Sequence, residues 1–125
     1  MSAKILMIDD DERLIDVYSM ALRVNNYKVD HISSGKYSIK HITKLKPDLI
    51  ILDAMMPGAS GVEVLEAIRN TPSTKNIKVI MFTALSDEKM KEKILALGVS
   101  DYIVKSQLTI SQVVENVSRV LAEVK

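Results

Sequence analysis

The 125-residue chain is 47% hydrophobic and 26% charged, the proportions of an ordinary globular domain that can bury one core. Its 17 Lys and Arg residues nearly balance 16 Asp and Glu residues, so we expect no nucleic-acid or membrane partner. The lack of cysteine excludes disulfides, thiol nucleophiles and Cys-ligated zinc. The apolar stretches are too short for a signal peptide or a transmembrane helix, which favours a cytoplasmic location.

Short runs rich in β-branched residues alternate with amphipathic stretches along the whole chain. The predicted strands cover residues 4–8, 29–32, 48–52, 77–82 and 102–104. Apolar residues spaced three and four apart predict five helices. Their stripes are Leu14, Val17, Tyr18, Ala21 and Leu22; Ile39, Ile42 and Leu45; Val62, Leu65 and Ile68; Met90, Ile94 and Leu97; and Ile110, Val113, Val114, Val117, Leu121 and Val124. The chain therefore consists of a strand–helix unit repeated five times.

This alternation predicts an α/β fold, a doubly wound (βα)5 three-layer sandwich with a parallel five-stranded sheet and helices on both faces. No linker, repeat or low-complexity tract divides the chain. We therefore expect residues 1–125 to form a single domain with no output domain. In sheets of this kind, ligands bind at the carboxyl ends of the strands, so the residues that follow each strand are the candidates for function.

Polar residues stand at four of these strand ends: an acidic run from Asp9 to Glu12, then Asp53, Thr83 and Lys105. Acids gathered on neighbouring strands repel one another unless a cation lies among them, and carboxylate oxygens suit Mg²⁺. Simpler alternatives exist for each residue. The run from Asp9 to Glu12 has the spacing of a helix capping box, Asp53 could end a strand before a turn, and Lys105 could be a solvated surface lysine.

Thr83 also has a structural alternative, since it could cap the helix that follows it. Ser86, which precedes Asp87 and Glu88, is the better candidate for that cap. The hydroxyl of Thr83 is therefore expected to be available to a ligand. The two histidines, His31 and His41, are expected at the surface.

Four segments resemble the motifs of receiver domains of two-component response regulators. They are the pair Asp9-Asp10, the segment 52–61 with its Asp, Met-Pro and Gly, the segment 82–84, and the segment 98–105 with its tyrosine and lysine. They occur in the order found in that family and span most of the chain. The resemblance implies a CheY-like, flavodoxin-like fold with strand order 2-1-3-4-5. It also implies a phosphorylation-dependent signalling switch whose only catalysis is its own phosphorylation and dephosphorylation.

The resemblance further implies that Asp53 accepts a phosphoryl group from a histidine kinase or a histidine phosphotransfer protein. The carboxylate attacks phosphorus only after a divalent cation, Mg²⁺ or alternatively Mn²⁺, has neutralised the acid cluster. The implied metal ligands are Asp10, Asp53 and the backbone carbonyl of Met55, with Asp9 acting mainly through a bound water.

In the same family pattern, the phosphoryl oxygens would contact the Lys105 ammonium, the Thr83 hydroxyl and the backbone N–H of Ala84. Movement of Thr83 would then be followed by a rotation of Tyr102. This would change the face made by the fourth helix, the fifth strand and the fifth helix. A downstream protein or a second copy of the chain would bind to that face.

The chain departs from the family pattern at Ser106, where family members usually carry a proline after the lysine, often with a cis peptide bond. A cis bond before a non-proline residue costs about 2.5–4 kcal/mol, so we expect a trans Lys105–Ser106 bond. If Ser106 displaced Lys105, the protein would be a pseudo-receiver that binds partners without phosphorylation.

A second alternative is a magnesium-dependent phosphatase of the haloacid-dehalogenase type. Asp9 would then be the nucleophile and Asp11 the general acid, and Asp53 would be left without a role. A flavodoxin-like electron carrier is disfavoured because the loop after the first strand is acidic, whereas a phosphate-binding loop would offer N–H groups and hydroxyls.

Overall fold

A computed structural model describes residues 2–56, 58–84 and 87–123 of the chain. In chain order the elements are β1 (Lys4–Ile8), α1 (Glu12–Val24), β2 (Lys28–Ile32), α2 (Ser38–Leu45), β3 (Leu49–Leu52), α3 (Gly61–Asn70), β4 (Lys78–Thr83), α4 (Glu88–Leu97), β5 (Asp101–Val104) and α5 (Ile110–Ala122). The predicted alternation of strands and helices is confirmed, and the predicted strand ends are shifted by at most one residue. Three residues used in the sequence predictions, Pro57, Ser86 and Val124, lie outside the described residues.

The strands form a parallel sheet in the order β2-β1-β3-β4-β5, as expected from the family resemblance. The register pairs Ile8 of β1 with Leu52 of β3, Leu52 with Met81 of β4, and Thr83 with Val104 of β5. The residues that follow these strands therefore line a single edge of the sheet. This edge brings together the polar strand ends that the sequence marks as candidates.

Two apolar layers cover the sheet, one on each face. The first joins alternate strand residues such as Ile5 and Met7 to α1 and α5, and the second joins Leu6 and Ile8 to α2, α3 and α4. Because both faces are covered, residues 5–8 of β1 and all of β3 are apolar at consecutive positions rather than at alternate positions. None of the helices in the described ranges combines the length and the apolarity that crossing a lipid bilayer requires.

The helix α4 is the most weakly anchored of the longer helices. Of its ten residues only Ile94 is buried, whereas Met90 and Leu97 of the predicted stripe are partly buried. The helix α5, by contrast, buries four valines. An element held by few buried contacts can move at a lower cost in free energy than its neighbours.

Candidate functional site

Three carboxylates meet at the carboxyl edge of the sheet. Asp9 and Asp10 directly follow β1, and Asp53 directly follows β3. Each offers one oxygen atom, and these atoms all lie within 4.8 Å of one another. Asp9 and Asp53 are buried, with 2% and 4% of their surface exposed, whereas Asp10 is exposed. The fold thus brings together the three acids that the sequence singles out.

Backbone hydrogen bonds fix the two buried acids in matching ways. The amide of Asp9 donates to Ile32 O and the amide of Asp53 donates to Ile8 O, so both residues extend the parallel ladders by one step. The Oδ1 atom of Asp9 accepts a hydrogen bond from the Asp11 amide at 2.9 Å. In the same way, Oδ1 of Asp53 accepts from the Met55 amide at 3.2 Å. In each side chain one oxygen is held by the following loop, which leaves Oδ2 to face the shared site.

The end of the acidic run caps α1, but through a different residue from the one that the capping-box spacing indicates. Asp11 is the N-cap, and its Oδ1 atom accepts from the amides of Arg13 and Leu14. The capping-box interpretation of Asp9 is therefore wrong. Because Asp11 caps the helix, the side chain of Asp9 remains part of the acid cluster at the site.

At the start of α4, the cap is Asp87, whose side chain accepts from the amides of Lys89 and Met90. Asp87 therefore satisfies the first N–H groups of this helix, whereas the predicted cap Ser86 lies outside the described residues.

Lys105 lies between the buried carboxylates. Its Nζ atom is 2.9 Å from Oδ2 of Asp9 and 3.4 Å from Oδ2 of Asp53, and its side chain is 18% exposed. Its backbone amide donates to Thr83 O at 2.7 Å, which ties the base of the residue to the end of β4. The alternative that Lys105 is a solvated surface lysine is therefore wrong.

The peptide bond between Lys105 and Ser106 is trans, as expected in the absence of a proline. Ser106 has a φ of +71°, in the left-handed region that residues with a Cβ adopt rarely. The chain thus turns sharply directly after the lysine. The turn is closed by a hydrogen bond from the Gln107 amide to Val104 O at 3.2 Å.

The charges in the site are only partly balanced. Burial, followed by the charge of Asp9, raises the pKa of Asp53, although Lys105 and the Met55 amide act in the opposite direction. Burial alone would lower the pKa of Lys105, but its hydrogen bond to Asp9 and the charges of Asp9 and Asp53 outweigh this, and the net shift is upward. One ammonium group therefore stands against three acidic side chains.

The donor set fits a hard divalent cation. Asp9, Asp10 and Asp53 offer carboxylate oxygens within mutual reach, and the excess negative charge is what such an ion would neutralise. Mg²⁺ and Mn²⁺ both prefer oxygen ligands. These residues could therefore hold a metal ion.

The remaining predicted site residues lie on the same side of the sheet. Thr83 is the fully buried last residue of β4, and Ala84 follows it at the surface. The side chain of Met55 is exposed, whereas its amide contacts Asp53. The roles of the Thr83 hydroxyl, the Ala84 N–H and the Met55 carbonyl stay predictions.

Tyr102 lies in β5 and packs against the core layer that contains α4. Its ring lies 5.4 Å from the Nζ atom of Lys91 in α4. Burial raises the pKa of its hydroxyl, and the charges of Glu88 and Asp87 raise it further. The tyrosine is thus in electrostatic contact with the start of α4, although its role as a switch stays a prediction.

Two aromatic residues lie at the site although the sequence predicts no role for them there. The ring of Phe82 lies 5.8 Å from the Nζ atom of Lys105, and Tyr18 packs edge-on against Phe82 at 5.2 Å between ring centres. Burial raises the pKa of the Tyr18 hydroxyl, and the charge of Lys105 partly offsets this rise. The available signal was that the only phenylalanine of the chain directly precedes Thr83.

Comparison with known proteins agrees with this geometry. The family model of the response regulator receiver domain matches residues 5–118. The chain belongs to this family. It is 36% identical over 105 residues to the phosphate regulon transcriptional regulatory protein PhoB of Rhizobium meliloti, a match that covers 84% of the chain and 46% of PhoB. It is 38% identical over 102 residues to the transcriptional regulatory protein ResD of Bacillus subtilis, covering 82% of the chain and 41% of ResD.

Solved receiver structures share the whole fold. The chemotaxis protein CheY4 of Vibrio cholerae superposes with a TM-score of 0.87 at 26% identity, covering 96% of this chain and 99% of CheY4. The chain spans less than half the length of the PhoB and ResD relatives. What it shares with them is therefore the receiver domain, the signalling module of response regulators.

Proposed function

We propose that this receiver domain is a phosphorylation-dependent switch of a two-component system in the cytoplasm. In this proposal Asp53 accepts a phosphoryl group from a histidine kinase or a histidine phosphotransfer protein. The observation that carries the proposal is the position of Asp53, a buried carboxylate with a raised pKa beside Asp9, Asp10 and Lys105.

The proposed reaction transfers the phosphoryl group between two side chains. A carboxylate oxygen of Asp53 forms a bond to phosphorus while the bond from phosphorus to the donor imidazole nitrogen breaks, which gives an acyl phosphate. Mg²⁺ held by Asp10, Asp53 and the Met55 carbonyl, with Asp9 acting through a water, would supply positive charge that offsets repulsion between the acids and the phosphoryl oxygens.

Groups of the chain itself would stabilise the negative charge on the transferred phosphoryl group. The Lys105 ammonium lies 3.4 Å from Oδ2 of Asp53 and would pair with one phosphoryl oxygen. The Thr83 hydroxyl and the Ala84 N–H would donate to the others. The chain thus promotes its own phosphorylation and dephosphorylation and acts on no other substrate.

The signal would pass through the face formed by α4, β5 and α5. The phosphoryl group adds a charge of roughly −1.5 to −2, which would draw the Thr83 hydroxyl toward Asp53 and favour a rotation of Tyr102. Because α4 buries only Ile94, its displacement should cost less free energy than that of the other longer helices. A downstream protein or a second copy of this chain would recognise the changed face.

The geometry supports neither alternative function. A haloacid-dehalogenase-type phosphatase would need Asp11 as its general acid, yet Asp11 is the N-cap of α1 and accepts two backbone hydrogen bonds. A pseudo-receiver would require Lys105 to be displaced by Ser106, yet Lys105 contacts both buried acids.

Labelling with a small phosphodonor tests the proposal. Wild-type protein incubated with radiolabelled acetyl phosphate and Mg²⁺ is expected to take up label, and Asp53→Asn is expected to take up none. Asp11→Asn is the matched control, because Asn caps a helix as well as Asp does, and it should label like the wild type. Label that persists in Asp53→Asn but disappears in Asp9→Asn would support the phosphatase instead.

A further inference from the structure

The two rings of Phe82 and Tyr18 form a surface beneath the site, which we call the aromatic floor. Phe82 is 2% exposed and belongs to the core layer shared with α1 and α5. Tyr18, on α1, packs against it with an angle of 73° between the ring planes. Edge-to-face packing of this kind holds two rings in a defined mutual orientation. The floor is therefore a fixed part of the core.

The side chain of Lys105 contacts both the aromatic floor and the two buried acids. Its amide is tied to Thr83 O, next to Phe82 in β4, and its Nζ atom lies 5.8 Å from the centre of the Phe82 ring. An ammonium within about 6 Å of an aromatic face is attracted to the ring, and more strongly where water is excluded. The lysine stem is flexible, so contacts along its path decide where the ammonium lies.

We propose that the aromatic floor positions Lys105, holding its ammonium between Asp9 and Asp53 in the orientation that phosphoryl transfer requires. The inference rests on the proposed function of Asp53 for its consequence, but not for the contact itself. Phe82 and Tyr18 act as positioning residues, because it is the lysine, and not the rings, that would touch the phosphoryl group.

The plain alternative is that Phe82 only fills the core. In that case Phe82→Leu would weaken the fold to the same extent whether or not Lys105 is present. If the ring also holds the ammonium and the stem, part of its effect disappears with the lysine. A double-mutant cycle measures this difference directly.

The first experiment is therefore a cycle between Phe82→Leu and Lys105→Met, followed by urea unfolding in Mg²⁺-free buffer. We expect Phe82→Leu to lower the folding equilibrium constant by about fivefold more in the Lys105 background than in the Met background. Ile80→Val is the control, because Ile80 lies on the same strand and in the same core layer. It should show no coupling to Lys105→Met. Equal effects of Phe82→Leu in both backgrounds would overturn the inference.

The second experiment separates positioning from stability. At conditions where every variant is folded, Phe82→Leu should take up label from acetyl phosphate about fivefold more slowly than the wild type, whereas Ile80→Val should match the wild type. Its Mg²⁺ affinity, measured by calorimetry, should be unchanged or tighter, since the acids are intact and the competing ammonium is less firmly held.

The two experiments distinguish failure of this inference from failure of the proposed function. If the wild type takes up no label, the proposed function fails, and the unfolding cycle still decides whether the floor holds Lys105. If the wild type labels and Phe82→Leu labels at the same rate with no coupling in the cycle, the positioning role alone is wrong. A joint loss of Mg²⁺ affinity and labelling in Phe82→Leu would indicate general damage to the site and would also contradict positioning.

Discussion

Replacing Lys105 with methionine is expected to lower the free energy of unfolding by about 3 kcal/mol at neutral pH in Mg²⁺-free buffer. The ammonium contacts the buried side chains of Asp9 and Asp53, which are 3% and 5% exposed. Removing one partner from a buried ionic cluster leaves the remaining charges without compensation. Urea unfolding followed by circular dichroism measures the change. Lys93→Met is the control, because the Lys93–Glu66 pair is exposed and should contribute less than about 1 kcal/mol.

The loss should depend on pH in a defined direction. Burial and the charge of Asp9 raise the pKa of Asp53 in the folded protein. The contribution of Asp53 to the free energy of unfolding is therefore fully present below its pKa in the unfolded chain. It is lost as the pH rises through its pKa in the folded protein. Lys105→Met removes an opposing cation and raises this pKa further. The difference between variant and wild type should therefore shrink as the pH is lowered toward about 4. A difference that is constant with pH would show that the lysine contributes packing rather than charge.

Magnesium should recover much of the lost stability. A ligand at about 100 times its Kd stabilises the folded state by about 2.7 kcal/mol, and Lys105→Met leaves the acids free to bind the ion. The rescue should be absent when Lys105→Met is combined with Asp53→Asn. Equal rescue in both variants would place the metal site elsewhere.

Gly61→Ala is expected to destabilise the protein by about 3 kcal/mol and to weaken Mg²⁺ binding. Gly61 is the first residue of α3, and its amide donates to Ala54 O at 3.0 Å. A Cβ atom at this position would overlap the carbonyl oxygen of Asp53 and lie 2.6 Å from Cα of Ala54. This overlap can be relieved only if α3 moves away from the backbone of Asp53 and Ala54 or if that backbone shifts. Thermal unfolding and Mg²⁺ calorimetry on the same samples measure both effects.

Gly58→Ala is the matched comparison for this variant. Gly58 has a φ of +86°, but among the described residues beyond its chain neighbours a Cβ atom there would meet Ser34 Oγ alone, at 3.6 Å. Its cost is the strain of a left-handed residue, about 1 kcal/mol, with little effect on Mg²⁺ binding. If Gly58→Ala proved the more damaging of the two, close packing of α3 on the backbone of Asp53 and Ala54 would not be the constraint that we infer.

The fold could be predicted from sequence because its signals are local and repeated. The fully apolar run of β3, the 3.6-residue stripe of α5 and their alternation along the chain permit few arrangements other than a doubly wound parallel sheet. In such a sheet all strands end on the same side. Asp9, Asp53 and Lys105, which follow three of the strands, must therefore lie at the carboxyl edge of the sheet.

Details that depend on side-chain orientation were not accessible in this way. The spacing of Asp9 and Glu12 offers Asp9 as an alternative cap, yet the cap of α1 is Asp11, two residues further along, because α1 begins only at Glu12. The position of Phe82 directly before Thr83 places it near the site, but it does not predict the contact with Lys105, which follows a different strand. Such contacts arise from tertiary packing rather than from pattern.

Chemical mapping of the phosphorylated residue tests the central claim most directly. Borohydride reduces an acyl phosphate of aspartate to homoserine, which peptide mass spectrometry locates in the sequence. After treatment with acetyl phosphate and Mg²⁺, we predict homoserine at position 53 and unmodified aspartate at positions 9, 10 and 11. Homoserine at position 9 with Asp53 unmodified would contradict the account.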